Sequence, residues 1–146
     1  MIISLVIAAI ISVVIGKILL QGYQDFLIAN DINEAEWNGF VALERIVEDI
    51  HNIRSASSIA TMTASQFTFT DMSGNSVPYQ FSGSTLTRNS QTLANGISGF
   101  SFSYLDKNGA TTATAANVRY ITIAISLTQN NIATAFSTTA ATRGMQ

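Results

Sequence analysis

Cysteine is absent from this 146-residue chain, and proline and histidine occur once each, as Pro78 and His51. Without cysteine there is no disulfide framework, no thiolate nucleophile and no cysteine-based metal site. Charge is sparse, at 11% of residues with a net of −2. That balance gives no electrostatic footprint for nucleic acid, and none is expected as a partner. No lysine or arginine precedes Lys17, so the positive start of a secretory signal peptide is missing. For the same reason the positive-inside rule sets no orientation from that side. No proline occurs before Pro78, so nothing in the first half forces a helix to break.

Catalytic constellations are lacking too. His51 stands beside Glu48 and Asp49 but has no second histidine, so it reads as a solvated helix residue rather than a metal ligand. Glu44 and Glu48 share a helix face, with Arg45 and Arg54 near enough to make that face an ordinary charged surface. Asp71 and Asp106 fall in turns, where carboxylates cap backbone amides. There is no nucleophile with a base, no phosphate loop and no dinucleotide fingerprint. The expectation is a protein that is not an enzyme and carries neither cofactor nor metal.

What is present begins with an apolar run. Residues 1–20 hold a single charge, Lys17, and match the roughly twenty apolar residues that cross a bilayer. Lys17 can reach the interface along its aliphatic stem. Beyond it, apolar residues recur at Tyr23, Phe26, Leu27, Phe40, Leu43, Ile46, Val47, Ile50 and Ile53, the spacing of one helix face. The two runs read as one long helix over residues 1–54, apolar in its first half and amphipathic in its second. Gly16, Gly22 and Gly39 each weaken it by about 1 kcal/mol relative to Ala. Phe40, Leu43, Val47 and Ile50 are expected to pack under whatever follows.

Residues 55–146 are a different material. Through residue 54 the chain carries three cations against seven carboxylates; beyond it, four against two. The second part holds 16 Thr and 14 Ser among 92 residues, a composition that points outside the cell. Period-two alternation marks strands at QFTFT, VPYQF, GFSFSY and YITIAISL. DMSGN, SGS, NG and DKNG supply the turns between antiparallel hairpins. TTATAA (111–116) and ATAFSTTAATRG (133–144) read as a loop and a weak terminal strand. The fold class is α+β: a long N-terminal helix packed on a C-terminal antiparallel β-sheet occupying residues 55–146.

MIISLVIAAIISVVIG, the helix containing FVALERIVEDIHNIRSAS, and the β segment FTFTDMSGNSVPYQFSGSTLTRNSQTLANGISGFSFSYLDKNG together resemble the type IV pilin and pseudopilin family. The pattern is nearest to minor pilins and J-type pseudopilins. The resemblance implies a structural subunit of a pilus-like filament or secretion pseudopilus, with copies of itself or other pilin subunits as partners. It also implies an inner-membrane stage, followed by an extracellular or periplasmic filament of a prokaryote. Met1, Ile2, Ile3, Leu5, Val6, Ile7, Ile10, Ile11, Val13, Val14 and Ile15 would form the membrane segment and then the filament core. Ser4, Ala8, Ser12 and Gly16, four apart, would allow close helix approach. Gly16, Lys17 and Gly22 would mark a stretch that melts on assembly. The family usually opens on Phe-Thr-Leu-Ile-Glu after a cleaved glycine, whereas position 5 here is Leu5. Two readings stand: that segment precedes Met1, which is preferred, or the chain lacks the acid. Neither a C-terminal disulfide loop nor a proline in the first helix is present. A different class of function is a single-pass membrane anchor displaying the β domain as an adhesin or binding module without polymerising.

Overall fold

The computed structural model describes residues 2–129 and 131–142, leaving aside the side chains of residues 2, 4, 5, 8, 9, 31 and 35. One α-helix, α1, spans Ile2–His51. Chain contacts divide the protein into two compact units, Met1–Glu34 and Ala35–Gln146.

Over its described residues the first unit is helix alone. Its sequence is helix-compatible throughout, and Gly16 and Gly22 lie within the unbroken helical run. The isoleucines and valines from Val6 to Ile15 are exposed, at 49–60% of their full area.

The second unit pairs the end of α1 with eight strands in two sheets. Strands β1 (Ile59–Met62), β2 (Gln66–Thr70), β3 (Ser76–Ser82), β4 (Thr85–Arg88) and β5 (Gln91–Ala94) form a five-stranded meander. Strands β6 (Ile97–Leu105), β7 (Tyr120–Gln129) and β8 (Ile132–Ala141) form a second, three-stranded one. All pairings are antiparallel. The α+β class expected from the sequence therefore holds, with two sheets where one was expected.

Alternation places one row of each strand inside. Phe67 and Phe69 of β2, Val77 and Tyr79 of β3, and Ile121, Ile123, Ile125 and Leu127 of β7 are buried. In β6 the inward row changes parity, from Ile97 to Phe102 and Tyr104, because the ladder slips between Ile97 and Gly99. Aromatic rings stitch the sheets together: Phe67 lies 5.4 Å from Phe102 and 5.6 Å from Tyr104, and Phe81 lies 5.4 Å from Phe100. Ala42, Leu43, Ile46 and Ile50 of α1 enter the same core, with Ile53 just beyond the helix.

The turns follow the carboxylates. Asp71 accepts the Asn75 amide at 2.8 Å, and Asp106 accepts the amides of Asn108 and Ala110 at 2.8 and 3.0 Å. Gly74 and Gly109 complete these turns at φ of 87° and 78°, where a side chain would be strained. The amides that Asp71 accepts, first among them that of Asn75, hold its carboxyl below the usual carboxylate range. The segment 133–144, read as a weak terminal strand, holds most of β8, ten residues paired to β7 without a register slip.

Candidate functional site

Two regions concentrate unusual physics, and the first is the apolar stretch of α1. A helix turns 100° per residue, so Val6, Ile7, Ile10, Ile11, Val13, Val14 and Ile15 spread over about 200° of its circumference, with Ser12 and Gly16 on the remaining side. All seven are exposed, as is Ile3 at 76%. By length and composition the helix is apolar enough to cross a membrane. Of the other residues expected in this segment, Met1 lies outside the described residues, as do the side chains of Ile2, Ser4, Leu5 and Ala8. Ser12 and Lys17 are exposed and Gly16 is half-buried. A methyl group added at Gly16 or Gly22 would meet nothing within 4 Å.

The expected helix-to-sheet contacts divide. Leu43 and Ile50 are buried and Val47 is half-buried against the core. Phe40 is the correction, since it remains 52% exposed, with its ring 6.2 Å from that of Trp37 and tilted 31° to it. The reason is angular. Gly39, Ala42, Leu43, Ile46 and Ile50 centre the buried face, and Phe40 lies about 110° round the helix from that centre. Gly39 is turned inward, and a Cβ built there would stand 3.1 Å from Leu127 Cδ1, so the helix approaches β7 closely at this point.

The second region is a buried polar cluster on the inner side of α1. Asp49, only 5% exposed, accepts the Tyr79 hydroxyl at 2.7 Å and Arg88 Nε at 2.5 Å, both on Oδ2. Arg45 approaches its Oδ1 at 3.5 Å and also bonds Glu48 at 2.9 Å. Burial, then the bond to the Asp49 carboxylate, pushes the Tyr79 hydroxyl far above its ordinary pKa of 10.0. The same carboxylate raises Arg88. These groups satisfy one another: among the described residues no buried side-chain nitrogen or oxygen is left without a partner. Through Tyr79 and Arg88 the cluster ties the helix to strands β3 and β4. Among the described residues no three His, Asp or Glu side chains gather as metal ligands would.

Arg45 and Asp49 stand four apart on α1, the spacing of a helix ion pair, whereas Tyr79 and Arg88 stand 30 and 39 residues from Asp49 and no local spacing announces them. The one available sign was an aspartate on the side of the helix stripe between Ile46 and Ile50. An apolar groove also runs between α1 and β8, lined by Phe40, Leu43, Glu44, Val47 and residues 135–138. In comparisons with known proteins, no family model matches the chain and no curated protein matches it.

Proposed function

We propose that this chain is a structural subunit of a type IV pilus-like filament or secretion pseudopilus, polymerising through the apolar stretch of α1. One observation carries the reading: a helix that exposes isoleucine and valine over about 200° of its circumference from Val6 to Ile15, in a chain whose remaining residues build a hydrogen-bonded β domain. Water does not tolerate such a surface, since each buried CH₂ is worth about 0.8 kcal/mol. Lipid and copies of the same helix both cover it. In a bilayer the backbone of a helix is already satisfied internally, and in a filament the lipid contacts are exchanged for protein contacts. The subunit is thus held in the inner membrane of a prokaryote before assembly and in an extracellular or periplasmic filament afterwards, in a role without a catalytic step.

The test is to purify the full chain in detergent and then remove the detergent. Filaments of uniform width in electron micrographs, with Val6 to Ile15 protected from hydrogen exchange, are the expected result. A monodisperse detergent-free monomer would overturn the proposal. Stable insertion into vesicles as a monomer at every protein density would instead select the anchored binding module.

A further inference from the structure

A sheet edge is a row of unpaired amides and carbonyls, and proteins that are not meant to extend their sheets protect it. Three of the four edges here are protected. β1 has four residues and a slip between Ile59 and Thr61, and β5 has four residues beside a slip between Leu86 and Thr87. β6 slips at Gly99, and its outer groups are taken: the Phe102 amide donates to the Ala64 carbonyl, and the Tyr104 carbonyl accepts the Thr112 amide. β8 is the exception. It runs ten residues with no charge, no proline and no slip, and among the described residues no strand pairs with its outer side.

The groove beside α1 follows this open edge. Its β8 wall is four consecutive residues, 135–138, so residues of both strand faces border it, as they do along an edge. Its helix wall is Phe40, Leu43, Glu44 and Val47, spaced as one helical face, and the space between is about 550 Å³. A strand edge opposite an apolar helix face is the geometry that accepts an extended peptide: main-chain bonds form along the strand and alternate side chains drop against the helix. The charge at the groove is of one sign. Glu44 is its only charged wall residue, with no partner among the described contacts, and Glu36 accepts the Thr134 hydroxyl at 2.9 Å on the same strand.

We infer that this groove binds an extended polypeptide segment of another protein, which adds as a fourth strand beside β8, lays alternate apolar side chains on Phe40, Leu43 and Val47, and carries a lysine or arginine that meets Glu44. A second copy of β8 is the poorer occupant, because it brings no cation and its own Glu44 would approach the first. The inference stands independently of whether the chain polymerises.

The probe is an eight-residue dye-labelled peptide of alternating valine and threonine with one central lysine, N-methylated on alternate residues so that only one edge can pair. Its control carries glutamate in place of the lysine. With the full-length protein in detergent micelles, the lysine peptide is expected to bind about tenfold tighter than the control. Glu44→Gln should collapse that ratio toward unity, and Ala135→Lys, which places a cation on the open edge, should weaken the lysine peptide alone. Hydrogen exchange should slow within residues 132–141. Absence of saturable binding, a ratio unchanged in Glu44→Gln, or protection confined to other strands would each overturn the inference. So would concentration-dependent protection of β8 without peptide, which would identify a second copy as the occupant.

Discussion

Asp49 shows how much of a residue's role depends on partners that arrive from far along the chain. On the helix alone it is a carboxylate one turn beyond Arg45, and that pairing, at 3.5 Å, was readable from spacing. Its stronger partners, Tyr79 and Arg88, come from strands whose register no local pattern encodes. Asp71 and Asp106 were legible because their partners are two to four residues away. Replacing Asp49 by Ala leaves the Tyr79 hydroxyl and the partly exposed Arg88 without their acceptor. A loss of about 2 to 4 kcal/mol in urea unfolding is expected, less than for a fully buried pair. The tyrosines add a pH dependence with a definite sign. Burial raises the hydroxyls of both Tyr79 and Tyr104 above their ordinary value of 10.0, and Tyr104 also donates to the Thr63 carbonyl at 2.9 Å. A raised acid is protonated in the fold and more readily ionised when unfolded. Its contribution is therefore complete below about pH 10 and lost as the pH rises further. Tyr104→Phe should lower stability at neutral pH by about 1 kcal/mol. It should also flatten the decline above pH 10, and an unflattened decline in the urea midpoint would refute the assignment to this hydroxyl.

At the scale of elements, alternation identified the long strands because apolar and polar residues differ sharply in QFTFT and YITIAISL. It gave β8 only as a weak terminal strand, since IATAFSTTAA has little contrast between its two faces, and it missed the four-residue strands β1, β4 and β5, which are too short to show a period. The division into two sheets was not legible either, because alternation says which way side chains face and nothing about which strand lies beside which. On the helix, periodicity gave the correct stripe with an error at its margin. Leu43→Ala should cost about 2 to 5 kcal/mol, since Leu43 is buried in the common core. Phe40→Ala should cost no more than about 1 kcal/mol, because the ring is half exposed and packs mainly on Trp37. Equal shifts of the two denaturation midpoints would show that the helix face is placed wrongly. The two N-terminal glycines carry a different expectation. Alanine fits at both without a clash and stiffens the helix by about 1 kcal/mol per site. If residues 16–22 unwind when subunits assemble, the double substitution should leave membrane insertion intact and reduce filament yield. A filament map with unbroken helical hydrogen bonds from Ile15 to Tyr23 would end that idea.

At the scale of the whole molecule, the apolar segment was the most legible feature, because sixteen uncharged residues ahead of Lys17 need no partner to be recognised. Lipid and copies of the same helix are the two candidates to cover that segment, and neither is encoded in local sequence pattern. Val6→Asp separates the two candidates. In a bilayer one aspartate costs about 3 kcal/mol, whereas isoleucine, leucine and valine each contribute about −0.3 to −0.6. A dozen such residues remain between Ile2 and Leu20 after the change. Their sum is roughly −5 kcal/mol, so insertion should survive. In a polymer the same aspartate is repeated in every subunit and lies among apolar helices with no cation nearer in sequence than Lys17. There each unpaired charge costs several kcal/mol, and each also repels its equivalents in neighbouring subunits. The expected outcome is a variant that fractionates with membranes, shows the parent's β-sheet circular dichroism, and forms no filaments, while Val6→Leu assembles normally. Filaments at the parent's yield from Val6→Asp would show that this face of the helix does not lie in a polymer core.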